Sequence, residues 1–376
     1  MALLAGQPAT ELGPFSGDLQ NRLKFKLFSS AIKERVRQSV KAAFYLGVLF
    51  FGLGTPAIEV KATQPLVNFV DGSRAYLSLE QSKRYTVATD GTGDFNSVQQ
   101  AIDHIPEFSG HPFVIHIKPG VYKEQIKITQ TKPFITFQGE DALKTTLTFD
   151  LSAKTSGDTR LSYSTYIGAS DFRAENVTFE NSYGTGSQAV AVYVNTDRVV
   201  FRNCRFLGWQ DTLFANGGRQ YYQDCYIEGH VDFIFGNATA VFENCKIHSK
   251  GQGYVTAHWR LSDAETNGFV FLNCRLTGAD TGKGVYLGRP WRPFGRVVFI
   301  DCWMGAHIRP EGWDNWRDPA REKTARFSEH KSSGPGANPA ARVAWSRQLN
   351  EEEIRPFATT TFLQGVDGWN PLKQLK

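Results

Sequence analysis

One short pattern recurs through the middle of the chain and limits what it can fold into. VVFRNCRF at 199–206, YYQDCYI at 221–227, AVFENCKI at 240–247, FVFLNCRL at 269–276 and VVFIDCWM at 297–304 each read as alternating apolar residues, then Asn or Asp, then Cys, then alternation again. FRAENVTF at 172–179 is a relative, with Val177 at the cysteine place. The cysteine spacings are 21, 20, 29 and 28 residues. Short strands at a period slightly over 20 residues, with Asn and Gly at the corners, describe an all-β parallel β-helix. One coil takes about 20 residues, longer intervals hold loops, and matching positions stack about 4.8 Å apart.

The flanks fit that fold. In TVATDGTGDFNSVQQAIDHIP at 86–106, a strand turns at Asp90-Gly91. Val98, Ala101, Ile102 and Ile105 then follow at helical spacing, up to Pro106. This predicts a short N-terminal helix that caps the open end of the core. Strands are expected at 113–120, 135–140 and 145–149. The C-terminal region is loop-rich over 305–342, with GPGANP at 334–339, and LNEEEIRPF at 349–357 reads as a short helix. Of the 376 residues 35 are glycine, 13% are aromatic and only 2 are methionine, which favours strands and turns over long helices. Collagen, coiled coil and multi-span membrane protein are excluded.

The formal charge of +5 is unevenly placed. Residues 1–61 hold 8 Lys/Arg against 4 Asp/Glu, and the remainder holds 34 against 33. With no basic stripe interleaved with aromatics, no nucleic-acid partner is expected. Arg22, Lys24, Lys26, Lys33, Arg35, Arg37 and Lys41 precede the uncharged run Ala42 to Ile58, which contains AAFYLGVLFFGLG. That order is the n-region and h-region of a secretory signal, with small residues for cleavage following. The long n-region leaves an uncleaved signal anchor through 42–58 as the alternative. The expected organisation is a signal or anchor segment over 1–62, a linker over 63–83 and a catalytic β-helix over 84–371.

The five cysteines form no CxxC pair, which argues against zinc or thioredoxin chemistry. The repeat places them in an inward ladder. Two readings stand, buried small hydrophobes or one disulfide between neighbouring coils. Asn176-Val-Thr178 and Asn237-Ala-Thr239 are potential glycosylation sequons.

The same register, applied to polar residues, selects a site. Gln188 and Gln210 are 22 residues apart, and Asp211 and Asp232 are 21 apart. Asp211 is therefore expected almost over Asp232, about 5 Å away at the inter-strand spacing. Two carboxylates that close do not both ionise easily, so one becomes a general acid beside an ionised nucleophile. Trp209, Phe233 and Phe235 would sharpen the split by desolvation. The glutamine amides are suitable donors to a developing oxyanion. A structural ladder of turn residues is the alternative reading of the same spacing. No serine has glycine at both −2 and +2, and no HExxH or phosphate loop occurs.

Here the residues resemble a known family. GVYKE at 120–124, QAV at 188–190, QDTLF at 210–214, DFIFG at 232–236 and LGRPW at 287–291 are similar to the ordered motifs of the pectin methylesterases, or pectinesterases. DGTGDFNSVQQAI and the late GPGA…RVAW resemble the plant-type form. The resemblance covers about residues 84–371 and implies a right-handed parallel β-helix that removes methyl esters from galacturonan, with no metal and no cofactor.

By this resemblance Asp232 is the nucleophile, and Asp211 is the acid that protonates departing methanol and then activates water. Gln188 and Gln210 hold the oxyanion, Arg289 pairs with the nucleophilic carboxylate, and Trp291 contacts the sugar, with Phe233 and Phe235 expected beside it in substrate binding. VTAHWR at 255–260 departs from the family's usual Gln-Gly, so His258 and Trp259 are expected to reshape a groove wall. RPFGRVVF at 292–299 departs as well and touches binding preference. The chain resembles the short form without the inhibitor-like pro-region.

The partners so implied are methylesterified homogalacturonan and a proteinaceous pectinesterase inhibitor, for a monomer secreted to the cell wall. The rival readings are a pectin lyase or polygalacturonase and a catalytically silent pectin-binding wall protein.

Overall fold

The computed structural model describes residues 82–279 and 284–374. The signal or anchor segment, and the linker up to residue 81, lie outside the described residues. From Lys83 onward the chain winds as a right-handed parallel β-helix whose coils feed three sheets of eleven, seven and eight strands. Every strand pair is parallel, as the repeat requires. Val199–Arg202 pairs with Gln220–Gln223, and Gln220–Gln223 pairs with Ala240–Glu243.

From the coil of Arg173–Glu175 to that of Arg296–Ile300, each corner between the eleven-stranded and eight-stranded sheets is made by the Asn or Asp of the repeat. Asn176, Asn203, Asp224, Asn244, Asn273 and Asp301 have φ between 49° and 57°. Among L-residues Asn and Asp tolerate this left-handed region best, which explains why they hold these positions. The turn brings the next side chain inward, and all five cysteines are buried. All five are free thiols, so the inter-coil disulfide is not formed. Each instead donates to the carbonyl two residues earlier, for example Cys225 Sγ to Gln223 O at 3.3 Å and Cys245 Sγ to Glu243 O at 3.4 Å. Burial pushes the Cys204 thiol up to about 12, which keeps it protonated.

A second ladder fills the core. Phe201, Tyr222, Phe242, Phe271 and Phe299 stack ring on ring with centroids 5.1, 4.6, 4.6 and 4.5 Å apart. The one hydroxyl in this stack, on Tyr222, donates to Gln220 Oε1 at 2.7 Å. A buried polar group thus keeps its hydrogen bond.

The expected capping helix is Val98–His104, with Ser97 as N-cap and Val98, Ala101 and Ile102 buried. The Glu124 carboxylate accepts from the Val98 and Gln99 N–H groups at 2.7 and 2.9 Å, meeting two orphan donors at the helix start. The strands expected near 113, 135 and 145 are Phe113–Ile117, Ile135–Gly139 and Thr145–Phe149. The helix expected over 349–357 is not an α-helix. Turns over 351–354 lead into a 3₁₀ turn at Arg355–Phe357. Pro356 has no N–H and disfavours α geometry at Arg355, which stops propagation. The loop-rich C-terminal part is anchored by Arg342 and Glu329, both buried, with Nε to Oε1 at 2.7 Å.

Candidate active site

The two aspartates stand where strands of the seven-stranded sheet begin, just before Leu213–Gly217 and Ile234–Gly236. Asp211 N–H donates to Val231 O at 3.1 Å and Leu213 N–H to Phe233 O at 2.9 Å. This ladder puts Asp211 directly beside Asp232 on the next coil, one inter-strand spacing away. Ala189 N–H donates to Gln210 O at 3.1 Å, which places Gln188 beside Gln210 in the same way. Asp211 and Asp232 have φ of 64° and 51°. This left-handed step breaks the alternation that would otherwise turn both carboxylates into the core with Leu213 and Ile234.

The two carboxylates differ in their partners. Arg289 Nε donates to Asp232 Oδ1 at 2.9 Å and its Nη2 to Oδ2 at 2.7 Å, a bidentate pair. The guanidinium is itself gripped between the faces of Tyr254 and Trp316, each 3.8 Å from its carbon. Burial raises the Asp232 carboxyl above its usual value, and Arg289 opposes that rise. Burial also raises Asp211, together with the neighbouring Asp232 charge, and takes it well above the usual carboxylate range. The two environments thus favour the proton on Asp211 and the charge on Asp232.

An aromatic wall runs away from the pair along the outer face of the seven-stranded sheet. Tyr193, Phe214 and Phe235 stack with centroids 4.4 and 4.2 Å apart. Trp291 lies 5.9 Å from Phe235, and Trp259 lies 6.2 Å from Trp291. Trp291 is half-buried on this wall, whereas Phe235 lies beneath it and is only 3% exposed. Phe233 is not on the wall. It is fully enclosed in the core and cannot meet a bound chain. It points inward because the left-handed step sits at the preceding residue. His258 is likewise no part of the groove. Its ring is buried edge-on to Phe269, and burial takes it down to about 3, so it is neutral. Trp259 alone of that pair reaches the wall.

Beside Gln210, the Trp209 ring carries Lys250 Nζ over its face at 3.9 Å and His230 edge-on at 5.5 Å. Lys250 also bonds Glu228 Oε1 at 2.9 Å, which fixes it there.

Tyr254 and Trp316 escape the sequence reading. Tyr254 had a usable signal, because it lies one coil beyond Asp232, as Thr256 lies one coil beyond Ile234. Trp316 had none. It sits in a loop, with φ of 60°, outside any repeat. Among the described residues no group of three His, Cys, Asp or Glu side chains is arranged to hold a metal ion.

A family model described as Pectinesterase matches residues 84–366. The chain is 46% identical over 288 residues to Pectinesterase 31 of Arabidopsis thaliana, covering 74% of this chain and 91% of that protein. It is similar to the solved pectin methylesterase from carrot, with a TM-score of 0.74, 31% identity and coverage of 77% and 95% of the two chains. A pectin methylesterase solved in complex with a hexasaccharide superposes with a TM-score of 0.67 at 30% identity, over 76% and 97% of the two chains.

Proposed function

The chain belongs to the pectinesterase family, and from that premise we propose that it hydrolyses the methyl esters of pectin through an acyl-enzyme on Asp232. The observation that carries the proposal is the asymmetry of the pair. Asp232 is held in bidentate contact by Arg289, and Asp211 beside it is buried with a strongly raised carboxyl.

The cycle follows from that asymmetry. An Asp232 oxygen attacks the ester carbonyl carbon, and the carbonyl π-pair moves to oxygen. The amide N–H groups of Gln188 and Gln210 donate to this oxyanion. The tetrahedral centre collapses, the C–O bond to the methoxy group breaks, and Asp211 gives that oxygen its proton. Methanol leaves, and a mixed anhydride links Asp232 to the uronate. Asp211, now a carboxylate, takes a proton from water as the water attacks the uronyl carbon. The anhydride bond breaks, Asp232 leaves as carboxylate, and the polymer gains a free acid. Each residue returns to its starting state, and water is the only other reactant.

The half-buried rings of Trp291 and Trp259, backed by the buried Phe235, suit the apolar faces of successive sugar rings. The paired glutamines beside one aspartate pair favour the esterase over a lyase or polygalacturonase. A cell-wall setting for this reading requires passage through the secretory route, led by the basic and apolar segment within residues 1–62. An inhibitor protein that covers the groove is the second partner class we propose, as the family includes proteins named pectinesterase/pectinesterase inhibitor.

The test is methanol release from highly methylated pectin by the purified protein. Release is expected from the parent and not from Asp232→Asn. Cleavage of the polymer backbone without methanol would place the chain among the rival enzymes.

A further inference from the structure

A large cavity lies away from the aspartates. It has a volume of about 1010 Å³ and lies on the outer face of the eleven-stranded sheet, walled by the C-terminal segment. Its floor is built by the register. Arg219 pairs with Thr239, Thr239 with Gly268, and Arg296 with Arg326. Arg296 lies across from Gly268, where a Cβ would come within 2.9 Å of its Cδ. A larger residue at 268 would displace the arginine from the floor.

Five cations and two carboxylates line the cavity, and the cations are unequally engaged. Arg219 is held by Asp197 and Asp367. Arg347 pairs with Glu353, and Arg326 shares Asp263 with Arg260. Arg296 makes one side-chain hydrogen bond, from Nη1 to Thr266 O at 3.0 Å, and no ion pair among the described residues. Lys323, on the rim, is exposed and forms no ion pair among them either. Burial and the nearby Arg260 and Arg326 charges hold Arg296 down to about 10, with the Asp263 carboxylate only partly opposing them. An anion placed there would offset that repulsion. Trp345 and Phe357 add aromatic surface to the same space, which a small oxyanion would leave unused.

The cavity also shares a wall with the aromatic groove. Arg321 donates to Pro290 O at 2.6 Å and to Trp291 O at 3.3 Å. Its neighbours on the same 3₁₀ turn, Glu322 and Lys323, line the cavity.

We propose that this cavity is a second, non-catalytic site that binds a carboxylate-bearing sugar chain, with Arg296 and Lys323 taking the carboxylates and Trp345 a ring face. The identity of the ligand as de-esterified galacturonan rests on the function proposed above. The reaction turns a neutral ester into a carboxylate, so surplus cations here would select product over substrate.

The experiment is titration calorimetry of the full chain with a fully de-esterified oligogalacturonate. Trp291→Ala is included to weaken the groove, and Arg296→Gln/Lys323→Gln to remove the free cations. The parent is expected to bind at two sites and the double variant at one, with unchanged initial methanol release from highly methylated pectin. Affinity at the second site should fall by about tenfold or more, the worth of one charge-assisted hydrogen bond. Arg296→Lys should keep most of the binding. Lys323→Gln, at an exposed position that does not endanger folding, should weaken it by itself.

Equal binding by the parent and the double variant would overturn the proposal. So would equal competition by the fully methylated oligomer, or displacement by millimolar inorganic phosphate, which would assign the site to a free oxyanion. Absence of methanol release with the second site intact would instead remove the esterase reading and leave the anionic-sugar site standing.

Discussion

Asp211 and Asp232 occupy the same place on consecutive coils, yet only Asp232 is bound by an arginine, through two hydrogen bonds of 2.9 and 2.7 Å from Arg289. One guanidinium thus turns two equivalent positions in a repeat into two different chemical groups. Asp232→Asn keeps the shape and removes the attacking charge, so methanol release should fall to background in a folded protein. Asp211→Asn should lower turnover by about 10²–10⁴-fold, the usual worth of general acid–base assistance. The double variant should be no worse than Asp232→Asn, because the two act in one sequence of steps. Near-normal release by Asp232→Asn would end the covalent mechanism.

The grip of Tyr254 and Trp316 on Arg289 has a kinetic consequence. Arg289→Lys keeps a charge but loses the planar fork, and is expected to damage activity less than either aspartate change. Trp316→Ala removes one cation–π face, worth about 0.5–2 kcal/mol. A looser guanidinium opposes protonation of Asp232 less well. The acid limb of the pH–rate profile should therefore move to higher pH in Trp316→Ala, with a lower kcat. A profile of unchanged shape would show that the tryptophan only contacts substrate.

The raised Asp211 carboxyl also bears on stability. Its folded value lies above its unfolded value. The stability that it contributes is fully present below the unfolded value and is lost as pH rises through the folded one. Above the folded value the buried charge beside Asp232 is then a cost. Asp211→Asn, which is neutral throughout, should be more resistant to urea than the parent at pH 8, and the difference should shrink toward pH 4. An equal midpoint at both pH values would show that Asp211 is not perturbed. The activity of the parent should fall on the alkaline side as the same proton is lost.

The corner residues can be tested without touching the site. Asn244 is exposed, has φ of 55°, and stands just before Cys245. Asn244→Ala should lose about 1–2 kcal/mol, the cost of a Cβ-bearing residue in the left-handed region. Asn244→Gly should lose less. Equilibrium urea unfolding reads both, and an alanine variant as stable as the parent would remove this account of the Asn/Asp repeat.

What the sequence determined by itself was whatever repeats. The cysteine period carries the coil length, the parallel pairing and the inward column. Applied to Gln188, Gln210, Asp211 and Asp232, it carries the juxtaposition of the site, because identical places on successive coils must lie one strand spacing apart. The capping helix was legible for a similar reason, since its apolar spacing and Pro106 are local signals.

What lay off the repeat was decided by tertiary structure alone. Alternation does not say that Phe233 turns into the core while Phe235 faces out, because the left-handed step at Asp232 resets the phase of the strand. Spacing does not say that His258 is sealed against Phe269, or that Trp316 arrives from a distant loop to close on Arg289. Nor does it say which aspartate keeps the proton. That depends on burial and on a single bidentate contact between residues 57 positions apart, which exist only once the coils are stacked.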